Sequence, residues 1–184
     1  SNPMKILVSA CLLGQRVRYD GADNAAKLAH QQTVLEQWHQ QGWLIPVCPE
    51  VAGGLPVPRP AAEIAGGNGA EVLAGQRRVL TQTGDDVTEF FLAGARHTLI
   101  YAQTHNAKAA LLAARSPSCG PDSTYDGSFS KQLTAYSGIT ATLLKQHGIA
   151  CFSPDSFEQL LEWVQQQQDW VDSGIENKKF GYWE

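Results

Sequence analysis

Short apolar runs alternate with segments of helical periodicity along this 184-residue chain, and no other feature restricts its fold as strongly. Strands that alternate with helices form a mostly parallel sheet with helices on both faces, which predicts an α/β fold. The predicted strands cover residues 5–9, 43–47, 77–81, 108–113 and 149–152. The predicted helices cover residues 31–41, 87–104 and 138–147, with a last one opening at Ser153.

Two local signals add detail to this prediction. Pro46 lies within the second strand, and because proline has no N–H to donate, it disfavours a central place in the sheet. Asp86 precedes the long helix and Glu89 follows three residues later. That spacing predicts a capping box at the start of the helix.

Composition and length indicate one folded domain. With 43% hydrophobic and 17% charged residues, the chain can form a core and is not a disordered tail. We predict a single α/β domain over residues 4–165, followed by a helical or irregular C-terminal extension over residues 166–184. Residues 1–3 precede Met4 and resemble a cloning remnant.

The charge balance bears on partners and location. A formal net charge of −4 leaves no excess of cations for nucleic acid or membrane surfaces, which argues against broad binding to either. No run of about 18 apolar residues is present, so no membrane span is expected. No signal-peptide stretch is present either, so we expect a cytoplasmic protein whose four cysteines are reduced thiols. Nothing in the sequence indicates an oligomeric state.

Three of the four cysteines follow predicted strands. Cys11, Cys48 and Cys119 each come after one, whereas Cys151 lies inside one. Ligands of open α/β sheets bind outside the carboxyl ends of the strands, so these three thiols are expected to meet at one edge. Three thiolates suit a soft metal centre, such as a [4Fe-4S] cluster with one open iron. Two interpretations stay open beside this one: cysteines that act as small buried apolar residues, and redox or nucleophilic catalysis.

Side chains near these cysteines are candidates for proton transfer. Glu50 follows Cys48 by two residues, and a low-dielectric pocket would raise its pKa into the range that suits a general acid. Ser116 and Ser118 belong to the SPSCG segment, where they would hydrogen-bond a ligand or hold a catalytic water. The ordinary alternatives are a surface or capping carboxylate and simple turn chemistry.

A second set of side chains is suited to binding a polar ring or an anionic group. Arg18 and Asp20 belong to the RVRYDG segment, and Arg59 belongs to the PVPRP segment. An Asp-Gly turn and a surface arginine are the ordinary alternatives at these positions.

Six motifs lie in order along residues 4–153. They read SACLLG…RYDG, PVCPEVAGGLPVPRPAAEI, TGDDVTEFFLAGA, SPSCG, YDGSFS and GITATLLKQHGI. In order and spacing they resemble a bacterial family that was long catalogued as a domain of unknown function and that includes thiouracil desulfurases.

The resemblance implies a Rossmann-like α/β fold that holds a [4Fe-4S] cluster. The cluster ligands it implies are Cys11, Cys48 and Cys119. It also implies non-redox removal of sulfur from a small thiolated pyrimidine base such as 2-thiouracil, which gives uracil and hydrosulfide. Glu50 matches the family's catalytic acid/base carboxylate. Ser116 matches its catalytic serine, with Ser118 as the alternative.

One departure from the family pattern is visible. Many members read Cys-Arg-Tyr-Asp-Gly where this chain has Val17 before Arg-Tyr-Asp-Gly. The change leaves the three expected ligands in place and removes a further thiol.

Two other functions are open to a chain of this kind. A non-catalytic module that binds metal or sulfur would use the same cysteines and would be indifferent to Glu50. A thiol redox protein is disfavoured, because the chain has no CxxC motif and its cysteines are widely spaced.

Overall fold

The computed structural model describes residues 4–173. The strands are Ile6–Ser9 (β1), Leu44–Val47 (β2), Ala62–Ile64 (β3), Val79–Thr81 (β4), Ala109–Leu111 (β5), Thr124–Tyr125 (β6), Leu133–Thr134 (β7) and Ala150–Phe152 (β8). The α-helices are Gln32–Gln40 (α1), Pro49–Ala52 (α2), Gly69–Leu73 (α3), Thr88–Thr104 (α4), Ile139–Gln146 (α5) and Phe157–Asp172 (α6). Short 3-10 helices cover Ala10–Leu13, Ala25–Gln31 and Pro154–Ser156.

Four strands form a parallel sheet in the order β2-β1-β5-β8. Ile6 of β1 is in register with Leu44 on one side and Ala109 on the other, and Ala110 is in register with Cys151 of β8. Helices connect the strands, so the predicted α/β fold is confirmed. Pro46 lies on β2, an edge strand, as its missing N–H predicts.

Helices surround the sheet in two packed pairs. Helices α1 and α6 meet through Trp38 and Phe157, whose stacked rings have centroids 5.7 Å apart. Helices α4 and α5 pack against each other. Strand β1 is fully buried between these layers, which explains why its sequence reads as an apolar run without alternation.

Two antiparallel strand pairs lie outside the main sheet. Strand β4, predicted from residues 77–81, pairs with β3, and β6 pairs with β7 in a hairpin. Below the β3–β4 pair, a second apolar cluster joins these strands to helices α3, α4 and α5. Its members include Ile64, Val79, Phe91 and Ile139.

The predicted capping box at the start of α4 is wrong. Asp86 does precede the helix, but its Oδ1 accepts from the backbone N–H and the hydroxyl of Thr88, at 2.9 and 2.6 Å. Its Oδ2 accepts from Arg78 Nε at 2.8 Å. Glu89 also faces Arg78, at 3.8 Å, instead of reaching back along the chain. Ion pairs with Arg78, the residue just before β4, thus replace the reciprocal hydrogen bonds of a capping box.

Helix α6 continues without a break across residue 165, where the predicted domain ends. The division at 165 stays a prediction, and residues 1–3 and 174–184 lie outside the described part of the chain. Across residues 4–173, no helix combines the length and the apolar character that a membrane span requires.

Candidate metal centre and active site

A cavity of about 430 Å³ opens at the carboxyl ends of β1, β2 and β5. This volume lies within the range of about 300–1,000 Å³ that is usual for small-molecule sites. Helix α2, strand β3, the RVRYDG turn and the β6–β7 hairpin complete its walls. The cavity therefore lies where ligands bind in open parallel sheets.

The three expected thiols line this cavity together. Cys11 lies in the 3-10 turn that follows β1, and Cys48 lies between β2 and α2. Cys119 comes from the long loop after β5, so it is not directly at a strand end as the sequence pattern suggested. The expected convergence is nevertheless present.

Burial disfavours the charged form of each of these thiols. It raises the pKa of Cys11 to about 11, and it raises the pKa of Cys48 and of Cys119 above the ordinary 9.0. The negative charge of a Cys48 thiolate raises the pKa of both other thiols further. One buried and two half-buried thiols at one cavity are a donor set that fits a soft metal centre.

Cys151 differs from the other three. It lies on β8, and burial raises the pKa of its thiol to about 12, with Lys145 and Asp122 as the neighbouring charges. Its Sγ lies 3.5 Å from the Ile149 carbonyl oxygen. Within residues 4–173, no three His, Cys, Asp or Glu side chains surround a position for a single metal ion. An iron–sulfur cluster does not require that arrangement, because each thiolate binds a different iron.

Glu50 and Arg59 form an ion pair at the cavity. Arg59 Nε donates to Glu50 Oε1 at 3.0 Å, and their side chains are 3% and 17% exposed. The other two guanidinium nitrogens donate to the carbonyl oxygens of Pro56 and Val17, at 3.0 and 2.9 Å. Burial raises the pKa of Glu50, and Arg59 opposes that shift. The sequence predicts that Arg59 binds substrate. In the structure, all three of its guanidinium nitrogens donate hydrogen bonds to protein groups instead.

The two candidate serines lie in different environments. Ser116 lines the cavity, and its Oγ accepts the backbone N–H of Cys119 at 2.7 Å. Ser118 is buried away from the cavity lining, with its Oγ 2.7 Å from Thr140 Oγ1. Of the two, only Ser116 lines the cavity.

The RVRYDG turn brings Arg18 to the cavity but not Asp20. Arg18 Nη1 donates to Asn24 Oδ1 at 3.2 Å, and its guanidinium lies 5.8 Å from the centre of the Tyr19 ring. Asp20 Oδ1 accepts the N–H of Ala22 at 3.0 Å and lies 3.7 Å from Arg18 Nε. Asp20 thus shapes the turn that carries Arg18, which is its ordinary alternative role.

Val17, which replaces the family's frequent cysteine, lines the same cavity. Its carbonyl oxygen accepts from Arg59, as described, and lies 3.7 Å from Cys48 Sγ. The chain therefore has an apolar residue at this position of the cavity lining.

Two glycines set the position of helix α2, which carries Glu50. A Cβ on Gly53 would lie 2.0 Å from the carbonyl oxygen of Phe90 in α4, and Gly94 of α4 makes a similar approach to Pro49. The two backbones are therefore in direct contact, at a distance that no side chain would permit.

Several lining residues have no predicted role in the sequence analysis. Glu63 of β3 and the aromatic rings of Tyr125 and Phe129 line the cavity. The lining also has cations that no prediction named: Lys27, Arg115 and Lys131. Glu63 lies in the AAEI motif and the two aromatic residues lie in the YDGSFS motif. The family motifs could therefore have pointed to these residues, although their residue types offered no chemical reason to choose them.

The chain is similar to proteins of one family. The family model described as 2-thiouracil desulfurase matches residues 6–156. "Uncharacterized protein YbbK" of Bacillus subtilis (strain 168) is 40% identical over 156 residues, which is 85% of this chain and 99% of that protein. The solved structure of the [4Fe-4S]-dependent thiouracil desulfidase TudS (DUF523Vcz) is 40% identical, with a TM-score of 0.78 over 89% of this chain and 99% of that one.

These similarities cover the parallel sheet and every segment that lines the cavity. The family model alone spans Cys11, Cys48 and Cys119, with Glu50 and Ser116 between them. The Rossmann-like fold and the family resemblance that the motifs indicated are thereby confirmed. The chain belongs to the 2-thiouracil desulfurase family.

Proposed function

We propose that this chain is a [4Fe-4S]-dependent desulfidase that converts thiouracil, or a closely related thiolated pyrimidine, to uracil and hydrosulfide. The observation that carries the proposal is the convergence of three interacting thiols and a carboxylic acid on one cavity. The 40% identity to the thiouracil desulfidase TudS supports the choice of cofactor and substrate.

Cys11, Cys48 and Cys119 are the residues that would hold the cluster. When bound, the cluster supplies an iron without a protein ligand, which acts as a Lewis acid toward the sulfur of the substrate. The protein contributes three thiolates and the cavity that they line. Cys151, whose charged neighbours are other residues, has no part in the site.

Glu50 is the proposed acid/base. Arg59 occupies its Oε1, which leaves Oε2 to exchange protons with water in the cavity. Burial raises the pKa of Glu50 while Arg59 keeps the ionised form accessible, so this carboxyl is suited both to accept and to release a proton. Water replaces sulfur at the ring carbon and loses two protons, one of which leaves with hydrosulfide and the other through Glu50 to solvent.

Ser116 and Arg18 are the proposed contacts to the substrate. Because Ser116 Oγ accepts from the Cys119 backbone, its own hydroxyl proton points elsewhere and is available to the ring or to the attacking water. Arg18 lines the cavity with a guanidinium that can meet a carbonyl oxygen of the pyrimidine. Arg59 serves as the positioning residue for Glu50.

We also propose that the protein works in the bacterial cytoplasm. The Bacillus subtilis relative supports the bacterial source. The four cysteines are all free, which supports a reducing compartment. Growth on thiouracil as a uracil source, with the protein confined to the cytoplasmic fraction, is the expected outcome in the native host.

The test is purification without oxygen, reconstitution with iron and sulfide, and assay with 2-thiouracil and 4-thiouracil. We expect broad absorption near about 400 nm, about four iron and four sulfide per chain, and release of uracil with hydrosulfide. Iron uptake without turnover on either base would point to the metal- or sulfur-binding module. One tightly held zinc, or no metal, would refute the cluster itself.

A further inference from the structure

The hairpin between β6 and β7 forms one wall of the cavity. Its loop, residues 126–131, has no role in the proposed mechanism, yet Phe129 from the loop and Tyr125 just before it line the cavity. Both rings are half-buried. The hairpin thus contributes two aromatic residues and Lys131 to the cavity wall, whereas helix α2 and the thiols form the reactive side.

The carboxylate of Glu63 holds this loop in place. Glu63 is buried on β3, and its Oε1 accepts the backbone N–H of Gly127 at 2.9 Å and of Phe129 at 3.2 Å. A single oxygen thus binds two amides of the loop, on either side of Ser128. Hydrogen bonds to a charged acceptor are among the stronger ones in proteins.

Two backbone features show that the loop is held in one conformation. Gly127 has φ of 96°, and a Cβ there would lie 2.6 Å from the carbonyl oxygen of Ile64, so the loop touches β3 directly. Phe129 has φ of 57°, in the left-handed region that residues with side chains rarely adopt. Such a conformation persists only where the surroundings fix it. The backbone N–H of Phe129 itself donates to Glu63, so this hydrogen bond acts on the residue that has the unusual φ.

We propose that Glu63 is a positioning residue that fixes loop 126–131 so that the Phe129 ring forms the face on which the thiolated pyrimidine stacks. The inference rests on the proposed function, and it assigns substrate binding to Phe129 and the placement of Phe129 to Glu63. A planar heterocycle against an aromatic face is favourable and tolerant of the exact base. The wall would therefore select flat rings, while the reactive side selects the carbon–sulfur group.

The conservative variant separates positioning from acid/base chemistry. Glu63→Gln keeps an Oε1 that accepts both loop amides, whereas Glu63→Leu leaves both amides without that acceptor. A positioning role predicts that Glu63→Gln stays within about threefold of the wild-type KM and kcat. A proton-transfer role predicts that Glu63→Gln loses kcat as fully as Glu63→Leu does.

The experiment compares the reconstituted wild-type enzyme with Glu63→Gln, Glu63→Leu, Phe129→Ala and the double variant Glu63→Leu/Phe129→Ala. Glu63→Leu and Phe129→Ala should each raise KM for thiouracil and Kd for uracil about tenfold, with kcat changed less than about threefold. The double variant should be no worse than either single variant, because Glu63 acts through Phe129. Iron content should be that of the wild type throughout.

Hydrogen exchange tests the positioning independently of catalysis. Exchange at the amides of Gly127 and Phe129 should be about tenfold faster in Glu63→Leu than in the wild type, and unchanged in Glu63→Gln. If Glu63→Leu does not fold, Gly127→Ala displaces the same loop from β3 without touching the carboxylate, and it should give the same rise in KM and Kd.

Each outcome decides a different point. Additive effects in the double variant, or an unchanged KM in Glu63→Leu, would overturn the link between Glu63 and Phe129. A wild-type enzyme that holds its cluster but neither binds uracil nor desulfurates thiouracil refutes the proposed function and with it the stacking role of Phe129. Exchange at Gly127 and Phe129 still decides, in that case, whether Glu63 fixes the loop.

Discussion

Gly94 and Pro49 are in backbone contact, since a Cβ on Gly94 would lie 2.0 Å from the Pro49 carbonyl oxygen. Pro49 stands between Cys48, the proposed cluster ligand, and Glu50, the proposed acid/base. The distance between two helix backbones therefore determines where both functional side chains enter the cavity.

Gly94→Ala should disturb both stability and cluster binding. The added methyl forces α2 away from α4, which we expect to lower the free energy of unfolding by about 2 kcal/mol, as overpacking does. Iron per chain should fall because Cys48 moves with α2. His97→Ala, at an exposed position of the same helix, is the matched control and should stay within about 0.5 kcal/mol. Urea denaturation and iron analysis measure both effects, and a stable, fully loaded Gly94→Ala would contradict the expectation.

The cysteines divide into three ligands and one control. Cys11→Ser, Cys48→Ser and Cys119→Ser should each reduce bound iron and abolish turnover, because each removes one of only three thiolates. Cys151→Ser should retain about four iron per chain and full activity. Iron and sulfide analysis after anaerobic reconstitution distinguishes the two groups. Full iron in any of the first three variants would remove that residue from the ligand set.

Glu50→Gln should separate chemistry from cofactor binding. The amide oxygen of Gln still accepts from Arg59 Nε, so the fold and the iron content should be unchanged. Without a group that accepts and releases a proton, kcat should fall by about 10²–10⁴-fold. Steady-state kinetics at matched cluster content gives the comparison. A variant with wild-type kcat would show that Glu50 does not perform the proton transfer.

Ser116 and Ser118 should respond to alanine in opposite ways. Ser116→Ala removes a hydroxyl that faces the cavity, and we expect kcat to fall at least about tenfold. Ser118→Ala leaves the Thr140 hydroxyl without its buried partner, which should cost about 1–2 kcal/mol of stability at unchanged kcat. Kinetics and thermal unfolding on both variants show which serine acts in catalysis. The reverse pattern would make Ser118 the catalytic one.

Asp86 should give a pH-dependent contribution to stability. Hydrogen bonds from Arg78, and then from Thr88, lower the pKa of Asp86 from the ordinary 3.8 to about 2. A carboxyl whose pKa is lower in the folded than in the unfolded state stabilises the fold at pH values above the unfolded-state pKa. The contribution of Asp86 is therefore lost as pH falls from about 3.8 through about 2. Because the side chain is 42% exposed, solvent screening limits it to about 1 kcal/mol.

The measurement for Asp86 is the difference in unfolding free energy between the wild type and Asp86→Asn. The difference should be constant from pH 5 to 7 and should shrink toward zero near pH 2. Glu162→Gln, exposed on α6, is the control and should show no such dependence. A difference that grows on acidification would reverse the assigned direction.

The hydrophobic pattern of the sequence was sufficient to predict the strands of the main sheet. The apolar runs at residues 5–9 and 108–113 correspond to β1 and β5, and the position of Pro46 predicted an edge strand. The pattern could not show that residues 77–81 pair with β3 in a separate antiparallel unit. That pairing depends on a partner of three residues within a Gly- and Pro-rich segment, where local propensity carries little information.

The candidate site could be predicted from the sequence where the residue type alone indicates the chemistry. Three cysteines and Glu50 stand out in a sequence because few residues perform their chemistry. Arg59 was predicted to be a substrate contact, but its bonds to Glu50 and to two backbone carbonyl oxygens could not be read from the sequence. Glu63 did not stand out, since a glutamate has many ordinary uses. Glu63 contacts amides 64 and 66 positions along the chain, a relationship that no local spacing expresses.

The positions of the three proposed ligand cysteines also affect how the chain behaves before it holds its cofactor. They are 37 and 71 residues apart, and they belong to segments that leave different strands of one sheet. A cluster held at all three points closes two long loops at once, and closing long loops removes conformational freedom from the unfolded chain. The cofactor would thus act as a cross-link between distant parts of the sequence. The newly made protein would lose conformational freedom along one edge of its sheet when the cluster binds.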